Sequence, residues 1–213
     1  MSSQIGEFPR DPFKTIKIEN VRQESTVEFT KNVERVIEET SWIKKRNEST
    51  NSFGLGSYQV SQSCTIRVYS SGKIDCVGMS EPIKAYKALQ EFIFRLKRED
   101  LIISSDDRIK VSNISASAVL ARPIRLNQLY YRLPSSIEQI QPPEERSNSL
   151  RFTLTEDNIH VNKYDDGRLA TGINMHVSVF NTGTIQIKGA RHPKMIDRAI
   201  EVILESITED CII

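Results

Sequence analysis

Apolar and polar positions alternate through "SCTIRVYSSGKIDCVG", residues 63 to 78. Cys64, Ile66 and Val68 fall on one side and Thr65, Arg67 and Tyr69 on the other, the two-residue period of a half-buried strand. The turn formers "SSG" at 70 to 72 fold this stretch into a predicted hairpin. The period then lengthens. Ile83, Tyr86, Leu89, Ile93 and Leu96 recur at helical spacing, with Ser80 as the expected N-cap and Glu81 and Pro82 in the first turn. Upstream, "FKTIKIENV" predicts a short strand ending at Asn20, and a helix of about three turns is expected over Glu28–Glu39.

The hairpin has a second copy, "NTGTIQIKG" at 181 to 189. Gly72 and Gly183 lie 111 residues apart, and the same offset carries Tyr69 to Phe180, Ile74 to Ile185, Gly78 to Gly189 and Pro82 to Pro193. It continues through the helical stripe, from Leu89 to Ile200, Phe92 to Ile203 and Leu96 to Ile207. A second match, "IKIENV" at 16 to 21 with "IKVSNI" at 109 to 114, has an offset of 93, and the helix at Pro123–Arg132 then answers the one at Glu28–Glu39. The 18-residue difference implies an insertion between Glu138 and Gly172, where turn formers and charges concentrate. The chain thus reads as an N-terminal extension (1–13), a first repeat (14–104) and a second repeat (105–213) with the insertion around 138–172.

Each half predicts strand, helix, several strands and a long helix, an α+β unit whose antiparallel sheet is covered by helices on its apolar face. In the second half Ile173, Met175, Val177, Val179, Ile185 and Ile187 turn toward the helices, including the one carrying Met195, Ala199, Val202, Ile203 and Ile207. Asn174, His176, Ser178, Phe180, Gln186 and Lys188 then form a bare face. A one-sided sheet carrying amides, cations and an aromatic ring asks for a ligand long enough to lie along it.

Composition narrows the class. With 213 residues, 38% hydrophobic and 27% charged, the chain is that of an ordinary globular protein. A net charge of +1 gives no global pull on a polyanion, so any such binding must come from local clustering. No apolar run reaches the ~20 residues that span a bilayer, and the N-terminus lacks an apolar signal core, so an intracellular location without membrane association is expected. Cys64, Cys76 and Cys211 are odd in number and lack metal-ligand spacing, which predicts reduced thiols and no metal site. His160, His176 and His192 are isolated, no cofactor motif, HExxH, GxSxG or phosphate loop occurs, and the two halves consume the chain, so catalysis is not expected.

"IKVSNISASAVLARPIRLNQLYYRL" (109 to 133), "VYSSGKIDCVGM" (68 to 79) and "VFNTGTIQIKGAR" (179 to 191) resemble the TATA-box-binding protein family, itself an imperfect tandem repeat. The likeness runs from about Ile16 to Ile207, and the "SSIEQIQPPEE" connection looks more like the versions in large double-stranded DNA viruses. The resemblance implies a pseudo-symmetric saddle, a curved antiparallel sheet of about ten strands with four helices on the convex side and the concave face in the DNA minor groove. Such proteins unstack and bend the duplex with apolar wedges, most cheaply at pyrimidine–purine steps. Asn20 and Asn113 match the family's asparagine pair, and an amide suits a groove floor whose A·T pairs offer only acceptors. Phe53 and Tyr69 fall at the first half's wedge positions and Phe180 at one of the second pair. Arg67, Lys73 and Arg191 are the implied phosphate contacts, and Val77 and Lys188 stand where the family places DNA-facing threonines. Glu144 and Glu145 match an acidic stirrup that docks a transcription factor IIB-like partner, with RNA polymerase machinery beyond it. The implied location is the nucleus, or a viral factory or virion if the chain is viral.

The family pattern also breaks. No counterpart of Phe53 is evident in "PPEERSNSLRF", and Asp75, Gln186 and Thr184 replace two valines and a lysine. An acid at 75 directed into a phosphate-lined groove would repel it, and the hydroxyl of Tyr69 would need a partner on insertion. Two functions remain open: an initiation factor with altered DNA contact, favoured by the surviving asparagines and wedges, and a protein-docking scaffold that has lost groove binding. Outside the resemblance, Lys73 is an ordinary solvated turn lysine, Asn20 and Asn113 are strand ends, and the pattern around Phe53 does not separate core from surface.

Overall fold

The structure, a computed structural model, describes residues 13–46, 54–106, 108–143, 148–159, 172 and 174–213. The chain divides into two units. The first, residues 18–114, holds most of β1 (Phe13–Phe29), α1 (Val33–Glu39), β2 (Lys44–Lys45), β3 (Gly56–Gln59), β4 (Thr65–Val68), β5 (Lys73–Met79), α2 (Pro82–Arg98), β6 (Ile102–Ser105) and the start of β7 (Lys110–Leu120). Its strands lie in the order β2-β3-β4-β5-β1, with antiparallel pairing from β2 to β5 and between β5 and β1, and β6 pairs antiparallel with the far end of β1. The second unit contains the rest of β7, α3 (Leu126–Arg132), β8 (Glu138–Gln141), β9 (Ser149–Leu154), α4 (Glu156–Ile159), β10 (Met175–Phe180), β11 (Thr184–Ala190) and α5 (Pro193–Ser206). There the order is β7-β11-β10-β9-β8.

β1 is far longer than the short strand expected to end at Asn20. Val21 and Val27 continue the buried face, but Gln23 and Ser25 occupy the positions between them and hide the alternation. These buried polar groups find partners, Gln23 Nε2 donating to Pro82 O at 2.9 Å and Ser25 Oγ to Asp106 O at 2.7 Å, although Gln23 Oε1 has none among the described residues. The helix expected from Glu28 therefore starts only at Val33, where Asn32 Oδ1 caps it by accepting the N–H of Glu34. Glu81, not Ser80, precedes α2, and it makes no side-chain cap bond. The stripe of α2 is rotated too: Ala85, Ala88, Leu89, Phe92, Ile93 and Leu96 are buried, whereas Ile83 is 58% exposed. Small alanines at two of these positions let the helix sit close to the sheet and were invisible to a search for large apolar residues. Among the described residues there are eleven strands and five helices; the short β6 and the one-turn α4 are the additions to the expected ten and four.

In the first unit Ile66, Val68, Ile74 and Cys76 from the sheet meet Leu89, Phe92 and Leu96 of α2, all essentially closed to solvent. Each such side chain contributes about 1.5–3 kcal/mol by leaving water. Phe92 also meets Trp42 and Tyr58, with centroids 5.5 Å away in each pair. In the second unit Leu150, Phe152, Met175, Val177, Val179, Ile185 and Ile187 are buried, as are Met195, Ala199, Val202, Ile203 and Ile207 of and just after α5.

Candidate nucleic-acid interface

Strand alternation sends every second residue to the face that no described helix covers. In the first unit β1 supplies Asn20, Arg22 and Glu24, β4 supplies Thr65 and Arg67 with Tyr69 just beyond it, and β5 supplies Lys73, Asp75 and Val77. The cross-strand register sets Arg67 opposite Asp75, Asp75 opposite Glu24, Lys73 opposite Thr26 and Thr65 opposite Val77.

Asp75 is fully buried on this face. Arg67 Nε donates to Oδ1 at 2.7 Å and Arg67 Nη2 to Oδ2 at 2.8 Å, a two-pronged grip. Arg22 Nε reaches Oδ2 at 2.7 Å, with its Nη2 2.5 Å from the same oxygen, and the Tyr69 hydroxyl donates to Oδ2 at 2.9 Å. A buried carboxylate is tolerated only when paired and hydrogen-bonded in this way. Asp75 is thus not an open acid repelling a polyanion, as expected from its position; two guanidiniums overcompensate it. Its hydrogen bond holds the Arg67 guanidinium above the ordinary arginine value, and burial, then the bond to Asp75, raises the Tyr69 phenol. Lys73 Nζ is similarly engaged, 2.6 Å from Glu24.

Asn20 has a fixed amide. Its Oδ1 accepts the backbone N–H of Gly78 at 2.8 Å. Because an N–H can only donate, the oxygen must face Gly78, which leaves the two Nδ2 donors for another acceptor. Asn113 lies half-buried on β7, on the side opposite Ile114 and Ala116. Phe53, Glu144 and Glu145 lie outside the described residues.

In the second unit the bare face is formed by Arg151, His176, Ser178, Phe180, Gln186 and Lys188. His176 pairs with Lys188 and Ser178 with both Gln186 and Arg151. His176 Nδ1 is 3.2 Å from Thr153 Oγ1. Phe180 is half-exposed at the end of β10, and Arg191 is exposed beyond β11. Among the described residues, neither Arg151 nor Lys188 has a carboxylate partner, in contrast to the paired cations of the first unit. Sequence reasoning missed Arg22, Glu24 and Arg151. Extending the alternation of β1 beyond Asn20 would have put the first two on the face of Asn20; nothing in "SNSLRFTL" set Arg151 apart.

The model of the family described as "Transcription factor TFIID (or TATA-binding protein, TBP)" matches residues 108–209. The TATA-box-binding protein of Archaeoglobus fulgidus is 26% identical over 140 residues, covering 66% of this chain and 67% of that protein. That of Sulfurisphaera tokodaii is 23% identical over 207 residues, 96% of this chain and 93% of its own length. The solved structure of Methanococcus jannaschii TBP superposes with a TM-score of 0.62 at 22% identity, covering 91% of this chain and 97% of that one, a likeness that establishes the α+β fold. Residues 108–209 thus match the TATA-binding protein family, and over most of its length the chain is similar to TATA-box-binding proteins.

Proposed function

We propose that the chain is a TATA-box-binding-like transcription initiation factor that lays its bare sheet faces into the minor groove of A·T-rich promoter DNA. It works with a factor IIB-like protein and RNA polymerase machinery, the former docking at the segment that includes Glu144 and Glu145. The observation that carries this reading is the amide of Asn20, whose oxygen is consumed by Gly78 and whose donors remain for a ligand. An A·T minor groove presents only the acceptors N3 and O2, the complement of such a group, whereas a G·C pair adds a donor. Lys188 and Arg151, without a carboxylate partner among the described residues, supply the cations that a phosphate-lined groove requires. The test is fluorescence anisotropy with A·T-rich and G·C-rich duplexes: tighter binding to the first is expected, and equal binding to both removes the groove-reading role.

A second reading, a protein-docking scaffold in transcription without groove binding, is favoured by one observation. Among the described residues, Arg22, Arg67 and Lys73 on the first unit's face are all engaged by Glu24 or Asp75. Absence of binding to either duplex at low salt selects it.

A further inference from the structure

We propose that Asp75 keeps the Tyr69 ring out of the duplex and limits the positive charge that the first unit's face presents. The inference rests on the promoter-DNA reading and goes beyond it, since it assigns the matched rings Tyr69 and Phe180 different modes of contact.

Tyr69 and Phe180 occupy the same turn in the two halves: Gly72 donates to Tyr69 O at 3.0 Å and Gly183 to Phe180 O at 2.9 Å. Only Tyr69 carries a hydroxyl, and that hydroxyl is bound to a carboxylate fully buried at the sheet surface. The far end of the ring is therefore anchored to the sheet. Insertion between base pairs would break a charge-assisted hydrogen bond and bring the hydroxyl into an apolar stack. Arg67 and Arg22 approach the tether from both sides, with Arg67 Cζ 5.9 Å from the ring centroid and Arg22 Nη2 3.4 Å from the phenol oxygen.

The same carboxylate sets the charge. Arg22, Arg67 and Asp75 sum to +1, and Lys73 with Glu24 sums to zero. The guanidiniums are held in place with their Nη1 groups unengaged among the described residues. The face is thus pre-organised for hydrogen bonding to acceptors with the charge of a single cation. Of the matched pair Tyr69 and Phe180, Phe180 has no such tether and is the ring left to act as a wedge.

The experiment follows the end-to-end distance and affinity of a doubly labelled A·T-rich duplex across a salt series with the full chain, comparing wild type, Tyr69→Phe and Asp75→Asn. Tyr69→Phe removes one oxygen and frees the ring, so its complex should hold the DNA ends closer than the wild type does. Asp75→Asn releases a second positive charge, so the slope of log affinity against log salt should steepen by about 0.9. A purely structural role for Asp75 would lower affinity without steepening that slope. Wild-type binding with an unchanged or smaller bend for Tyr69→Phe, or an unchanged slope for Asp75→Asn, overturns this inference alone. Failure of the wild type to bind overturns the promoter-DNA reading together with it.

Discussion

Val27 donates its backbone N–H to the carbonyl of Gly72 at 2.9 Å, and the same bond recurs between Leu120 and Gly183 at 2.9 Å. Val27 and Leu120 are related by the offset of 93, Gly72 and Gly183 by that of 111. Two sequence registers that drift apart by 18 residues are thus brought back together by one backbone contact. Gly72 has φ +78° and Gly183 φ +85°, and a Cβ on either would lie 2.2 Å from Val27 O or 2.5 Å from Arg122 O. Gly72→Ala should therefore lower unfolding stability by about 1–3 kcal/mol. Gly54→Ala, where a Cβ would meet ordinary contacts from 3.4 Å, should change it by less than about 0.5 kcal/mol. Urea unfolding of the two variants checks the contrast.

Asn20→Asp keeps an oxygen for the N–H of Gly78 and deletes both amide donors. The fold should persist, while affinity for an A·T-rich duplex should drop by about tenfold, or 1.4 kcal/mol. Anisotropy titration alongside circular dichroism separates the two effects, and unchanged affinity would remove Asn20 from the interface.

Lys188 is exposed on the bare face of β11 and makes no ion pair among the described residues. Lys188→Ala should weaken binding across sequences and reduce the salt slope by about one. Lys84→Ala, on α2 and paired with Glu81, should leave that slope where it was.

Burial and the bond to Asp75 raise the Tyr69 phenol above its ordinary value of 10.0. The folded chain then holds this proton more tightly than the unfolded chain does, so the associated stability is complete below about pH 10 and is lost as pH rises through the raised value. Spectrophotometric titration should find one tyrosine ionising late, and Tyr69→Phe should flatten the alkaline loss of stability. An identical alkaline limb in the two proteins would show that the phenol contributes nothing to it.

The fold was legible where large apolar residues mark a face. The hairpins, the turn glycines and the buried side of α5 follow from alternation and repetition alone. β1 was not legible beyond Asn20 because Gln23 and Ser25, polar but internally hydrogen-bonded, stand in buried positions. On α2 Leu89, Ile93 and Leu96 are buried as expected, but the buried face turns toward Ala85 and Ala88, which carry the close packing, and away from Ile83, which is left in solvent. The candidate interface was half legible: alternation assigned Arg67, Tyr69, Phe180 and Lys188 to the bare faces, but an ion cluster depends on cross-strand register. Asp75 looked like an unfavourable acid until β1 brought Arg22 beside it.

Minor-groove engagement is read directly from the bend of doubly end-labelled duplexes, followed by energy transfer on addition of the full chain at low salt. Minor-groove engagement predicts that the ends of an A·T-rich duplex approach one another while a G·C-rich duplex of equal length stays straight. Binding that leaves both duplexes straight, or bends both alike, would contradict it.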